Sequence, residues 1–155
     1  MNSKSETAYC GIYCQDCMHF KNKYSIYAQK LFDELKELEF DKYAEINSGF
    51  RANFKDYGIF SDMLKSLAEI KCNNSCRVGG GCSGNPCKIM KCCVSRGYEG
   101  CWECIELEEC NKFEILEPIC GEMPKNNVRK IREHGIQNWV GLRDKFYIWQ
   151  KSLKT

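Results

Sequence analysis

Apolar side chains recur with helical spacing in several stretches of this chain and vanish from the stretch between them. From Tyr24 to Ile46, Tyr27, Leu31, Leu35 and Leu38 follow at intervals of four, four and three, with Lys30, Asp33, Glu34, Lys36 and Glu37 between them. This predicts one amphipathic helix with its apolar stripe toward a core. Asn47-Ser48-Gly49 ends it, because glycine takes the left-handed backbone that often closes a helix. Phe60, Met63, Leu64, Leu67 and Ile70 predict a second helix, opened by Ser61 or an earlier polar residue. Beyond Pro124, Val128 and Ile131 predict a short third one. Its last turn holds Arg132 and His134 before Gly135, where cations meet the negative end of the helix dipole. Trp139, Leu142, Phe146 and Trp149 predict a final helix from about Asn138, an aromatic stripe expected to pack against the first two helices.

Between Cys72 and Gly100 the periodicity gives way to six glycines, one proline and six cysteines. Such backbone has little apolar side chain to bury, so metal is the economical way to hold it. One short helix over Cys87 to Ser95 is expected there. The fold class is therefore mainly α: amphipathic helices flanking an irregular, cysteine-rich, metal-stabilised knot with little strand. A length of 155 residues fits a single domain, 1–155, with a helical segment 18–71, a cysteine-rich segment 72–120 and a helical segment 121–155.

Thirteen cysteines sharpen this picture, and none lies between Cys17 and Cys72 or after Cys120. The start, MNSKSETAY, has no apolar run of the secretory kind, and no stretch approaches the ~18 apolar residues of a membrane span. A cytoplasmic chain with no membrane partner is expected, in a compartment where thiols are metal ligands or redox groups more often than disulfides. The formal charge is +2. Each ligating cysteine sheds a proton, so a metallated protein is near neutral, and Lys71, Arg77, Lys88, Lys91 and Arg96 are too few to support nucleic-acid binding.

Cys14-Gln15-Asp16-Cys17 and Cys101-Trp102-Glu103-Cys104 have the two-residue spacing that seats both sulfurs on one ion; Cys72 and Cys76 form a looser pair. The order of these motifs resembles the small bacterial and archaeal cysteine-rich family known as domain of unknown function 3795. The elements that carry the resemblance are Cys10-Gly11-Ile12-Tyr13-Cys14-Gln15-Asp16-Cys17, Cys72 with Cys76, Cys87 to Cys92, Cys101 to Cys110, and Ile131-Arg132-Glu133-His134-Gly135-Ile136-Gln137-Asn138-Trp139. The resemblance implies zinc and no known activity. Against its pattern Cys72 and Cys76 stand one residue further apart, the helical spacer is rearranged, and Cys93 and Cys120 are additional.

Without those two, Cys72, Cys76, Cys82, Cys87, Cys92, Cys101, Cys104 and Cys110 supply eight thiolates, enough for two tetrahedral zinc ions. Which four share an ion is open. Cys10, Cys14 and Cys17 would make a third site only with a fourth ligand from Cys93, Cys120, His19 or water. Their three-then-two spacing is also that of radical S-adenosylmethionine enzymes, but the strands and helices of a barrel are absent from the pattern. With two histidines, no nucleophile motif, and Gly79-Gly80-Gly81 lacking a phosphate-loop lysine, catalysis is disfavoured. The expected function is a zinc-binding cytosolic protein with structural thiolate sites, serving as a module for a protein partner. An iron-sulfur or thiol-based redox or metal-sensing protein is the alternative, resting on the spare thiols and adjacent Cys92-Cys93.

Overall fold

The computed structural model describes residues 3–80 and 87–150. Across these residues the chain is mainly helical and has no sheet. Strand geometry is confined to isolated bridges, Thr7 with Tyr13 and Phe20 with Cys72. No described helix is long and apolar enough to cross a membrane. The chain divides into two compact units, Lys21–Lys71 and a second made of Met1–Phe20 with Cys72–Thr155. The division follows the cysteines, all of which belong to the second unit.

The Lys21–Lys71 unit contains α1 (Tyr24–Glu37), α2 (Phe40–Asn47), a 3-10 turn (Ala52–Asp56) and α3 (Tyr57–Glu69). Asn22 accepts the Ser25 N–H at 3.0 Å and donates to the Ile70 carbonyl at 3.0 Å, joining the start of α1 to the end of α3. The single helix predicted from Tyr24 to Ile46 is two. Glu39 takes a left-handed backbone (φ 49°) between them, and Phe40 then joins an aromatic group with Tyr43, Phe54 and Tyr57. The buried stripe also differs from the predicted one. Ala28, Leu64 and Ala68 are buried, with Phe32, Leu35 and Leu67 packed around them. Tyr27 and Leu38 are each 62% exposed. Counting large apolar residues missed this seam, because alanines let two helix backbones approach closely and so carry the contact despite their size.

In the second unit, α4 (Lys88–Ser95), α5 (Glu117–Cys120) and α6 (Met123–His134) are joined by 3-10 turns at Cys76–Val78, Cys101–Glu103, Asn111–Leu116 and Val140–Leu142. The helices predicted at Cys87 to Ser95 and around Val128 are both present. Pro124 sits in the first turn of α6, where its missing N–H needs no partner. Gly135 ends the helix at φ 78°. The helix buries Met123, Pro124, Asn127, Val128 and Ile131 along one face. Against that face lies Gly11 (φ +83°), where a Cβ would stand 2.9 Å from the Pro124 carbonyl oxygen and from Val128, so only glycine fits. Asn127 is buried and bonds two distant segments, donating to the Gly11 carbonyl at 3.1 Å and accepting the Asp144 N–H at 2.9 Å.

The last predicted helix does not form beyond Val140–Leu142. Trp139 and Phe146 are buried while Leu142 and Trp149 are exposed, so the four do not share one face. Trp139 packs with Tyr13 and Ile131, and Phe146 and Tyr147 with Ala8, Cys10 and Ile12. Side-chain bonds compete with helix here. Asn127 takes the Asp144 N–H, and Arg143 donates to the Val140 carbonyl at 2.7 Å and to Asp16 at 2.5 and 2.8 Å.

Candidate metal centre

The first convergence of thiols is built by α4 and the knuckle at Cys101. In α4, Cys92 and Cys93 are successive residues and so diverge around the helix; Cys93 is 2% exposed and Cys92 only partly buried. The knuckle closes with the Cys104 N–H on the Cys101 carbonyl at 3.1 Å, and Cys101 N–H bonds Tyr9 O at 2.8 Å. Arg132 of α6 reaches the carbonyl side of the turn, donating to Trp102 O at 2.9 Å and to the carbonyls of Cys101 and Cys104. These elements leave a small cleft on which Cys92, Cys93, Cys101, Cys104 and Cys110 all lie, with Ile89, Leu107 and Phe113 also lining it. Cys93 Sγ and Cys101 Sγ are 3.6 Å apart. Sharing that hydrogen bond lowers the Cys93 thiol and, together with burial, raises Cys101. Arg96 at the rim pairs with Glu106 at 2.8 Å and stands 4.0 Å from Cys104 Sγ.

A second group gathers where the amino-terminal segment meets Cys72. The Cys72 N–H bonds the His19 carbonyl at 2.8 Å and Phe20 bridges to Cys72, which sets the Cys72–Cys76 loop beside the Cys14–Cys17 knuckle. The knuckle is a 3-10 turn closed by Cys17 N–H on Cys14 O at 3.0 Å. The Cys72–Cys76 loop folds back through Gly80, whose N–H bonds Ser75 O at 2.9 Å and where a Cβ would overlap the Asn74 carbonyl. The Cys76 backbone lowers the Cys14 thiol, and the Tyr9 backbone lowers the Cys76 thiol. Burial nonetheless dominates both thiols, pushing Cys14 up to about 11 and raising Cys76, whose nearest charged neighbours include Cys87 and Cys72. Arg143 holds Asp16 inside the knuckle and lies over the Tyr13 ring at 5.1 Å. The Tyr147 hydroxyl accepts the Met18 N–H at 2.7 Å and stands 3.9 Å from Cys17 Sγ.

As they stand, no three His, Cys, Asp or Glu side chains among the described residues close on a common point that would hold an ion. The thiols share neighbourhoods without being drawn together, and no described cysteine is in a disulfide. Cys10 is buried in the main core within the electrostatic field of Cys101, so the amino-terminal trio is split between the two groups. Cys87 Sγ accepts the Met90 N–H at 3.3 Å and caps α4. Cys120 is buried near Cys17. Cys82 lies outside the described residues. His134 stands 3.6 Å from its neighbour Glu133, remote from neither charge nor solvent but not on the cleft. Sequence reasoning set Cys93 aside and read Arg132 as a dipole partner. Helical phase within α4 marks Cys93 as inward-facing beside Ile89, four residues earlier.

Residues 6–115 match the model of a family described as a protein of unknown function (DUF3795). No curated protein and no solved structure matches the chain. The matched span contains every cysteine of both groups, while Arg132, Trp139 and Arg143 lie beyond it.

Proposed function

We propose that this chain, which belongs to the DUF3795 family of proteins of unknown function, is a cytoplasmic zinc-binding protein. Its Cys101 cleft holds a structural ion, and its cysteine-rich surface serves a protein partner. The observation that carries this is the convergence of five cysteines on one cleft that Ile89, Leu107 and Phe113 also line. The donor set fits the ion. It is all sulfur, with no histidine or carboxylate on the cleft, and four thiolates in a closed shell are the ligation of structural zinc. The 3.6 Å between Cys93 and Cys101 is close to the tetrahedral edge of about 3.7 Å that a zinc-sulfur distance of about 2.3 Å requires.

Protonated thiols gain nothing by converging further, so the remaining sulfurs close only as the ion displaces their protons. Bound zinc supplies a redox-inert cross-link. Cys101 and Cys104 hold one side of it from the knuckle that Arg132 braces, and Cys93 and Cys110 complete the set. Val94, Ile105 and Ile115, each beside or near a cleft residue in sequence, are exposed, Ile105 at 92%, which suits a protein partner. Arg77 donates to the carbonyls of Thr7 and Glu99, and Arg96 pairs with Glu106.

Elemental analysis with native mass spectrometry of protein purified without oxygen tests this reading. Zinc in a colourless protein is expected, with an ion lost in the Cys101→Ser/Cys104→Ser variant. A brown protein absorbing near ~400 nm would instead assign the cleft to an iron-sulfur cluster. A metal-free protein whose melting ignores chelators would overturn metal binding altogether.

A further inference from the structure

The structure assigns a second, separate metal centre to Cys14, Cys17, Cys72 and Cys76, a four-thiolate site for one zinc ion formed between the amino-terminal knuckle and the loop that follows Lys71. This deepens the reading above and rests on it for the identity of the ion. It departs from grouping by position along the chain, under which Cys72 and Cys76 belong with the later cysteines and the amino-terminal trio lacks a fourth ligand.

Three features of the backbone support it. The Cys72 N–H to His19 O bond and the Phe20 to Cys72 bridge fix the two pairs side by side across more than fifty residues of intervening chain. Each pair sits on a turn that its own sequence dictates, the 3-10 turn at Cys14–Asp16 and the loop that only Gly80 lets close. The backbone so placed leaves Cys14 in the field of Cys76, Cys72 and Cys17 together.

The surrounding side chains hold the ligands in place. Arg143 grips Asp16 between the two knuckle cysteines, and Tyr147 touches Cys17 and the Met18 N–H. Ligand residues held by a second set of bonds lose less entropy on closing around an ion. Cys87, whose sulfur caps α4, also lies in the field of Cys76, so the four-residue set requires that Cys87→Ser keep both ions, and loss of one overturns it. On binding, each of the four thiols gives its proton to solvent, zinc sheds its waters and four zinc-sulfur bonds form; no electron is transferred.

Counting zinc by native mass spectrometry in single and paired variants tests the assignment. Wild type is expected to hold two ions, and Cys14→Ser and Cys76→Ser one each. The Cys14→Ser/Cys76→Ser pair is also expected to hold one, because both residues serve the same ion. Where wild type holds two ions, a pair that holds none, or a Cys14→Ser protein that still holds two, overturns the assignment. If the cleft reading alone fails, wild type holds one ion, which Cys14→Ser abolishes and Cys101→Ser/Cys104→Ser leaves in place. Alkylation of unmutated, zinc-loaded protein during chelation guards against misfolded variants. Cys17, Cys72 and Cys76 are expected to lose protection together, in a step distinct from Cys104. Release of Cys17 in step with Cys104 instead of Cys72 sinks the proposal.

Discussion

Asn127 shows how one side chain can hold three segments. Its amide is 1% exposed and has a donor bond to Gly11 O and an acceptor bond from Asp144 N–H. Asn127→Ala strands both backbone groups, each worth about 1 to 3 kcal/mol when left unsatisfied. Denaturant unfolding is therefore expected to show a loss of about 2 to 5 kcal/mol from the cysteine-bearing unit. Cys120 behaves differently. Burial pushes its thiol up to about 11 from 9.0. The folded state thus keeps the proton longer than the unfolded chain does. Its contribution is full below pH 9 and fades as pH rises toward 11. A Cys120→Val variant should accordingly lose less stability between pH 8 and 10.5 than wild type, by up to about 2 kcal/mol, in paired urea melts. At this scale the sequence located the 3-10 turns at Cys14 and Cys101, since two-residue cysteine spacings are local. It could not show that Asn127, an ordinary polar residue beside Val128, is turned inward.

Among the elements, α4 and α6 were legible because their apolar residues, caps and terminal glycine agree with one another. The break at Glu39 was not. Nothing near it reads as a stop, and the left-handed residue is a glutamate whose unfavourable backbone is offset by the aromatic group that Phe40 enters. Relief of that strain is measurable. Glu39→Gly is expected to stabilise the Lys21–Lys71 unit by up to about 1 kcal/mol and so raise its melting point, because glycine takes this conformation freely and the exposed Lys42 ion pair it forfeits is worth little. A lower melting point would mean that the turn is not strained. The stripe at Trp139, Leu142, Phe146 and Trp149 misled for the opposite reason. Its spacing is helical, but Asp144 and Arg143 find better partners in Asn127 and Asp16 than a helix would offer them.

For the whole molecule, the distribution of cysteines along the chain separates what metal can hold from what burial holds. Zinc sites of this kind contribute about 10 to 16 kcal/mol of apparent binding free energy. Chelation of the metallated protein should therefore unfold the cysteine-bearing unit and leave α1, α2 and α3 helical, seen as partial loss of helical circular dichroism with Trp102 and Trp139 becoming solvated. An all-or-none loss would show that the Lys21–Lys71 helices depend on the ions too. Which pairs lie side by side was not legible, because the Cys72–Cys76 loop is set beside the Cys14–Cys17 knuckle by backbone bonds at His19 and Phe20 that carry no side-chain signature. Those long-range partnerships also bear on how the protein is made. Asp16 waits 127 residues for Arg143, and Met18 waits 129 for Tyr147. At about 5 to 20 residues per second of synthesis, the first thiols stand bare at the ribosome for on the order of ten seconds before their last support emerges. The newborn chain, more than the finished one, is where oxidation or a stray metal can divert it.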